Sequence, residues 1–347
     1  MLMDYITMIG NCCGSDLCVL ETLLSFVRCI EEGSNGLNLE GRNISQWPAR
    51  LAVHLFSPLS LIKDCFLDNQ CPTKFRGCLC SCNTVKSEIF YGDTSFGNTQ
   101  TWYGRFDVII GKTAAYEQNG LKKKRCESLV AATTVSEEYN DDSSDEDDYF
   151  QNEAKPDNLD GHSSELISQT TVFSFHQKKC NPSLSLVPSI GVSKSHIQFH
   201  FYDSAKDIYF VSHGMPLFYE DSKLQLSTVI ATWMVMNYKH LLTGPTEKMV
   251  KESKFGFHTN ISSENLNLYK NNIEMGLKPF KPKLFKVSAV VQEEYELDKS
   301  ATGKIEAINN LKINHLILIV NSIYYISAIV HTDTEFLIEG TCQNKTS

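Results

Sequence analysis

An α/β domain (or α+β), with a central mixed sheet flanked by helices, is the fold class the sequence predicts, and three observations predict it. Short runs of β-branched and aromatic residues recur at 102–111, 128–135, 187–192, 196–202 and 207–212. Segments of helical spacing alternate with them, at 17–30 and 165–179. A stretch apolar nearly all round, 224–242, reads as a well-buried helix. At 347 residues the chain can bury a sizeable core, and its 42% hydrophobic and 21% charged content is that of a globular protein.

Along the chain, Leu17, Leu20, Leu24 and Val27 recur at helical spacing, with Asp16 as N-cap and Gly33 as stop. A second helical segment is predicted over 47–67, and 71–98 reads as irregular because Cys, Gly, Asn and Thr dominate it. The first strand is 102–111, bounded by Gly111; the next, 128–135, runs into Glu137 and Glu138. Eight carboxylates and no basic residue fall between Ser136 and Asp148, so of the formal charge of −9 only about −1 belongs to the rest. Residues 140–163 carry too few apolar side chains to offset the entropy of ordering, and a disordered acidic insert is expected there.

After the insert, Leu166, Gln169, Thr170, Phe173 and Gln177 keep helical spacing until Asn181 and Pro182. In the strand 196–202, Ile197, Phe199 and Phe201 alternate with His196, Gln198, His200 and Tyr202, which predicts one buried and one solvated face. The helix 224–242 closes at Gly244 and Pro245. Residues 246–347 form a C-terminal extension with a strand at 287–291 and a hairpin over 315–330. The organisation expected is therefore a helical, Cys-rich segment (1–99) packing on a core (100–245), followed by that extension. Residues 311–330 contain Lys312, Asn314 and His315, too polar for a membrane span. With no charged start or cleavage site at the N-terminus, the protein is expected to be intracellular, cytoplasmic or nuclear, with its twelve cysteines reduced.

The order strand with Asp107, strand ending at Glu137 and Glu138, helix with Gln169 and Gln177, then a strand pair resembles the PD-(D/E)xK nuclease superfamily. This is the restriction-endonuclease-like fold, and the resemblance covers roughly residues 100 to 242. Gly104-Arg105-Phe106-Asp107-Val108-Ile109-Ile110 looks like the strand bearing the family's first acidic residue. The resemblance implies that Asp107 and either Glu137 or Glu138 hold a Mg²⁺ ion, which activates water against a phosphodiester. The lysine expected two positions beyond the second acid is missing, since Tyr139 or Asn140 stands there. That departure points to a catalytically degenerate domain acting as a binding or interaction module; His176 and Lys178 are the nearest substitutes. The alternatives are an active Mg-dependent nuclease, or an unrelated α/β interaction protein that holds basic partners through its acidic insert. The partner classes are thus nucleic acid or a basic protein, not a membrane.

Other motifs are weaker. Cys65, Cys71, Cys78, Cys80 and Cys82 are dense, but a CxC pattern without a CxxC knuckle favours free thiols over zinc. Lys122 to Arg125 is a short basic run of the nuclear-import kind. Residues 278–286 interleave lysines with aromatics, which suits a docked Pro-rich connector better than nucleic acid. Ser143 and Ser144 precede acids, as acidic-directed phosphorylation requires. No Gly-rich phosphate loop, Gly-x-Ser-x-Gly elbow or His-Glu-x-x-His motif is present.

Overall fold

A computed structural model describes residues 14–33, 37, 47–62, 64–68, 89–111, 130–135, 159–219, 223–241 and 244–276. Helix α1 (Gly14–Glu31) buries Val19, Leu20, Leu23 and Phe26, with Ile30 partly covered. The core row is therefore Val19, Leu23, Phe26 and Ile30, one position round from the row the periodicity suggested. Leu24 and Val27 are only half-buried. A wide apolar sector contains several rows at the same spacing, and only the neighbouring elements choose between them. Gly33 ends the helix with φ +66°, a left-handed turn that glycine adopts at no steric cost.

Helix α2 (Trp47–Leu51) runs through a π-helical turn (Ala52–Phe56) into α3 (Ser57–Leu59). The helical path expected as far as 67 stops at Ser60, whose backbone is extended. Asn237 fixes that exit: its amide donates to the Leu59 carbonyl at 2.8 Å, and its carbonyl accepts from the Leu61 N–H at 2.9 Å. The chain then enters β1 (Cys65–Asp68), with Cys65 and Leu67 fully buried. Strands β2 (Ile89–Gly92) and β3 (Ser95–Gly97) follow in the part that the composition marked as irregular.

The run 102–111 is not one strand. It divides into β4 (Tyr103–Arg105) and β5 (Val108–Ile110), which belong to different sheets. β4 pairs with β3, while β5 lies between β1 and β6 (Val130–Thr134). Phe106 makes the corner: its ring stacks on Phe96 at 4.2 Å and meets Phe173 edge-on at 5.0 Å. Gly104 is needed beside it, because a Cβ there would lie 2.1 Å from the Trp102 ring.

A single 3-10 turn (Leu159–His162) leads into α4 (Ser163–Cys180), so the last few residues of the expected insert, from Leu159 on, form a helical turn. The rest of that insert, 140–158, lies outside the described residues. Strands β7 (Val187–Val192), β8 (His196–Asp203), β9 (Ile208–Val211) and β10 (Met215–Pro216) complete the large sheet. Its order is β10-β8-β7-β6-β5-β1-β2, with β9 also paired to β8. The pairs β1–β2 and β6–β7 are parallel and the others antiparallel, so the sheet is mixed. The parallel step from β6 to β7 requires a crossover, and α4 supplies it, packing on β7 and β8.

That packing corrects the half-solvated reading of β8. His200 is only 1% exposed and Tyr202 and Gln198 are buried as well, so both faces of the strand are covered. After a short ribbon, β11 (Phe218–Tyr219) with β12 (Lys223–Leu224), comes α5 (Leu226–Met236), then α6 (Tyr238–Leu241). The expected long helix is thus broken at Asn237, the residue that holds the end of α3. It is buried as predicted; Trp233 donates its indole N–H to the Val19 carbonyl at 2.9 Å. Helices α7 (Glu247–Glu252), α8 (Phe257–Asn260) and α9 (Ser263–Asn271) follow. Strand β13 (Glu274–Met275) returns to pair with β3 in a three-stranded sheet with β4. Residues 287–291 and 315–330 lie outside the described residues. No helix among the described residues is long and apolar enough to cross a membrane.

Candidate functional site

Asp107 stands at the corner where the chain leaves the small sheet for the large one. Its backbone belongs to the large sheet on both sides: its N–H donates to the Ala132 carbonyl at 3.1 Å, and its carbonyl accepts from the Asp68 N–H at 3.0 Å. The side chain reaches the end of β6. There its Oδ2 accepts from both the N–H of Thr134, at 2.6 Å, and the Thr134 hydroxyl, at 2.7 Å. Burial pushes the carboxyl above the ordinary aspartate value, the two Thr134 donors pull it back, and the negative charges of Asp68 and Glu165 push it up again.

Asp68, at the end of β1, is buried. Its Oδ2 accepts from the Thr94 hydroxyl at 2.7 Å, and its Oδ1 lies 3.8 Å from the Arg105 guanidinium. Thr94 is itself fully buried and also contacts the Phe106 carbonyl, which ties the corner to the β2–β3 connection. Helix α4 closes the other side. Gln169 accepts from the Thr133 hydroxyl at 2.7 Å, and its amide donates to the Arg105 carbonyl at 3.3 Å and to Glu165 at 3.1 Å. Three strands and the first turns of one helix are therefore joined through carboxylates and carboxamide.

Of the predicted site residues, Asp107 is at this corner, immediately before β5, which is hydrogen-bonded to β6. Glu137 and Glu138 themselves lie outside the described residues. The two substitutes for the missing lysine are elsewhere. His176 and Lys178 follow Gln169 by seven and nine residues, roughly 10 to 13 Å along the helix. The Lys178 ammonium contacts the Leu184 carbonyl and lies 3.9 Å from Asp203, at the far end of the sheet. Arg105 turns to Asp68 rather than to Asp107. Sequence reasoning missed Asp68, Thr94, Thr134 and Glu165. The signal for Asp68 was the Cys65-Phe66-Leu67-Asp68 run, hidden by the overextended helix; Thr94 and Thr134 carry no signal short of the fold.

Cys65 is buried in β1, and Cys71, Cys78, Cys80 and Cys82 lie outside the described residues. So do Lys122 to Arg125, residues 143–148 and residues 278–286. Among the described residues, no group of three or more His, Cys, Asp or Glu side chains is placed to hold a metal ion. His196 contacts the Ser195 hydroxyl, while His200 is held between Tyr209, at 2.8 Å, and Gln198, at 3.1 Å. Burial lowers the His200 pKa to about 3, which keeps the ring neutral and identifies it as part of the core rather than a solvated ligand.

Comparison with family models, with curated proteins and with solved structures gives no match.

Proposed function

We propose that this chain is a catalytically degenerate nuclease-like α/β domain that acts as a binding or interaction module, with nucleic acid or a basic protein as its partner class. One observation carries the reading: the carboxylates at the corner serve as internal acceptors. Asp107 Oδ2 takes two donors from Thr134, and Asp68 takes Thr94 on one oxygen and faces Arg105 with the other. Each lone pair that accepts a hydrogen bond from the acid's own strands is one fewer to offer a cation, which takes carboxylate oxygens as its ligands. The kinship itself draws support from the order of elements. Asp107 leads into β5, β5 pairs with β6, α4 with Gln169 and Gln177 follows, and β7 and β8 form the pair after it.

A second reading, an active Mg-dependent nuclease, has one observation in its favour. Asp68 and Glu165 are near enough to Asp107 to raise its pKa by repulsion, and a divalent cation would relieve that repulsion. Incubating the purified chain with plasmid in Mg²⁺ or Mn²⁺ separates the two. The degenerate reading expects no cleavage above a buffer control. Cleavage that disappears in Asp107→Ala would establish the nuclease instead.

A further inference from the structure

At the other end of α4 the polar accounting is different. A cavity of about 420 Å³ opens between the last turns of α4, the turn after β8 and the C-terminal helices. Lys178, Lys179 and Lys270 line it, together with Ser204, His258 and Phe175. Among the described residues that line it there is no carboxylate. Ser204 is 3% exposed and its hydroxyl has no hydrogen-bond partner among the described residues; the Nε2 atom of His258 is buried and equally without one there.

Part of this charge has a structural explanation. Lys178 and Lys179 sit in the last turn of α4, where cations complement the helix dipole. Lys178 also faces Asp203, and Lys179 donates to the Asn271 carbonyl at 2.6 Å. Neither fact accounts for the rest. Lys270, exposed on α9, lines the same cavity without a carboxylate partner among the described residues. Buried polar atoms left without partners are costly. These atoms adjoin a cavity lined by three lysines, and a compact anion with several acceptor oxygens would satisfy both.

We propose that this cavity is a binding site for a phosphate group carried by a small molecule. A phosphate monoester offers three strong acceptor oxygens and up to two negative charges, enough to engage the lysines and the Ser204 hydroxyl together. The volume is within the range of small-molecule sites. Phe175 supplies an apolar wall; its ring centre lies 6.0 Å from that of His258. The inference is independent of any nuclease kinship, because it uses none of the residues at the Asp107 corner.

Calorimetric titration of the full chain with inorganic phosphate and with phenyl phosphate, at ionic strength matched by potassium chloride, tests the site. Saturable one-to-one binding is expected, tighter for phenyl phosphate. Lys270→Gln weakens it by about tenfold, the loss of one charge-assisted contact, with no change in Tm. Ser204→Ala weakens it further while the circular dichroism stays that of the parent. Heats that never saturate, or equal affinity in the parent and both variants, overturn the proposal. Binding of a single-stranded oligonucleotide through Lys270, with neither small phosphate bound, would overturn it as well.

Discussion

The two ends of helix α4 carry opposite charges and meet opposite fates. Its first turns present Glu165 and Gln169 to the Asp107 corner; its last turn presents Lys178 and Lys179 to the cavity beside Ser204. Both ends obey the helix dipole, with acid first and base last. The hydrogen bonds differ. At the acidic end the Asp107, Asp68 and Gln169 side chains each have partners within the fold. At the basic end Ser204 Oγ, His258 Nε2 and Asp203 Oδ2 have none among the described residues. Charge alone would have singled out the carboxylates as the site. Accounting for each donor and acceptor shifts attention to the lysines.

The comparison is sharpened by what lies between the two ends, a strip of neutral polar groups around His200. The largest expected effect belongs there. The folded His200 pKa, about 3, lies below its ordinary value of 6.5, so the unfolded chain binds the proton more readily. The stability this burial permits is complete above pH 6.5 and falls as the pH drops toward 3. About 3 kcal/mol should be lost between pH 6.5 and pH 4. His54, lowered to about 4 by burial and by Arg50, adds to the same slope. Urea unfolding at a series of pH values should show a shallower acid slope in His200→Gln than in the parent. Equal slopes would mean that the ring is not buried as described.

Next in size is Thr134→Val, which removes one of two donors to a desolvated carboxylate at the acidic end. A cost of about 2 kcal/mol is expected in chemical unfolding. A cost below about 0.5 kcal/mol, the range of ordinary surface changes, would break the contrast between a satisfied end and an unsatisfied one. Asp107→Asn should do less. Asparagine keeps an acceptor for Thr134 and carries no charge to desolvate. Because the folded Asp107 pKa is raised, its contribution is present at low pH and lost as pH rises from the ordinary aspartate value through the raised one. The variant should therefore lose that part of the pH dependence and lie within about 1 kcal/mol of the parent at neutral pH. Smallest of all, Lys270→Gln should change stability by less than about 0.5 kcal/mol, as befits an exposed lysine with no ion pair among the described residues. A larger loss would make Lys270 part of the scaffold.

Much of this architecture was legible before any coordinates, and the failures have physical causes. The strands β6, β7, β8 and β9 and the helix α4 follow from local pattern, since β-branched runs and helical spacing are properties of short windows. The corner at Phe106 does not. Tyr103 to Ile110 has uniform strand character, and only the stacking of Phe106 on Phe96, ten residues earlier, bends it into two sheets. In the same way, Asn237 ends two helices through contacts with Leu59 and Leu61, distant in the chain. The candidate site was half legible. An aspartate within a Val/Ile strand identified Asp107, but its partner Thr134 is an ordinary strand threonine, and Asp68 was obscured by a helix carried too far. The cavity at Ser204 was beyond reach, because Lys270 approaches Lys179 only through the packing of α9 on α4.

Whether the Asp107 carboxylate is an internal acceptor or a cation ligand is asked most directly by calorimetric titration with Mn²⁺. The parent and Asp107→Asn should give the same isotherm, with no site that depends on the carboxylate. A stoichiometric Mn²⁺ site present in the parent and lost in Asp107→Asn would contradict the acceptor role.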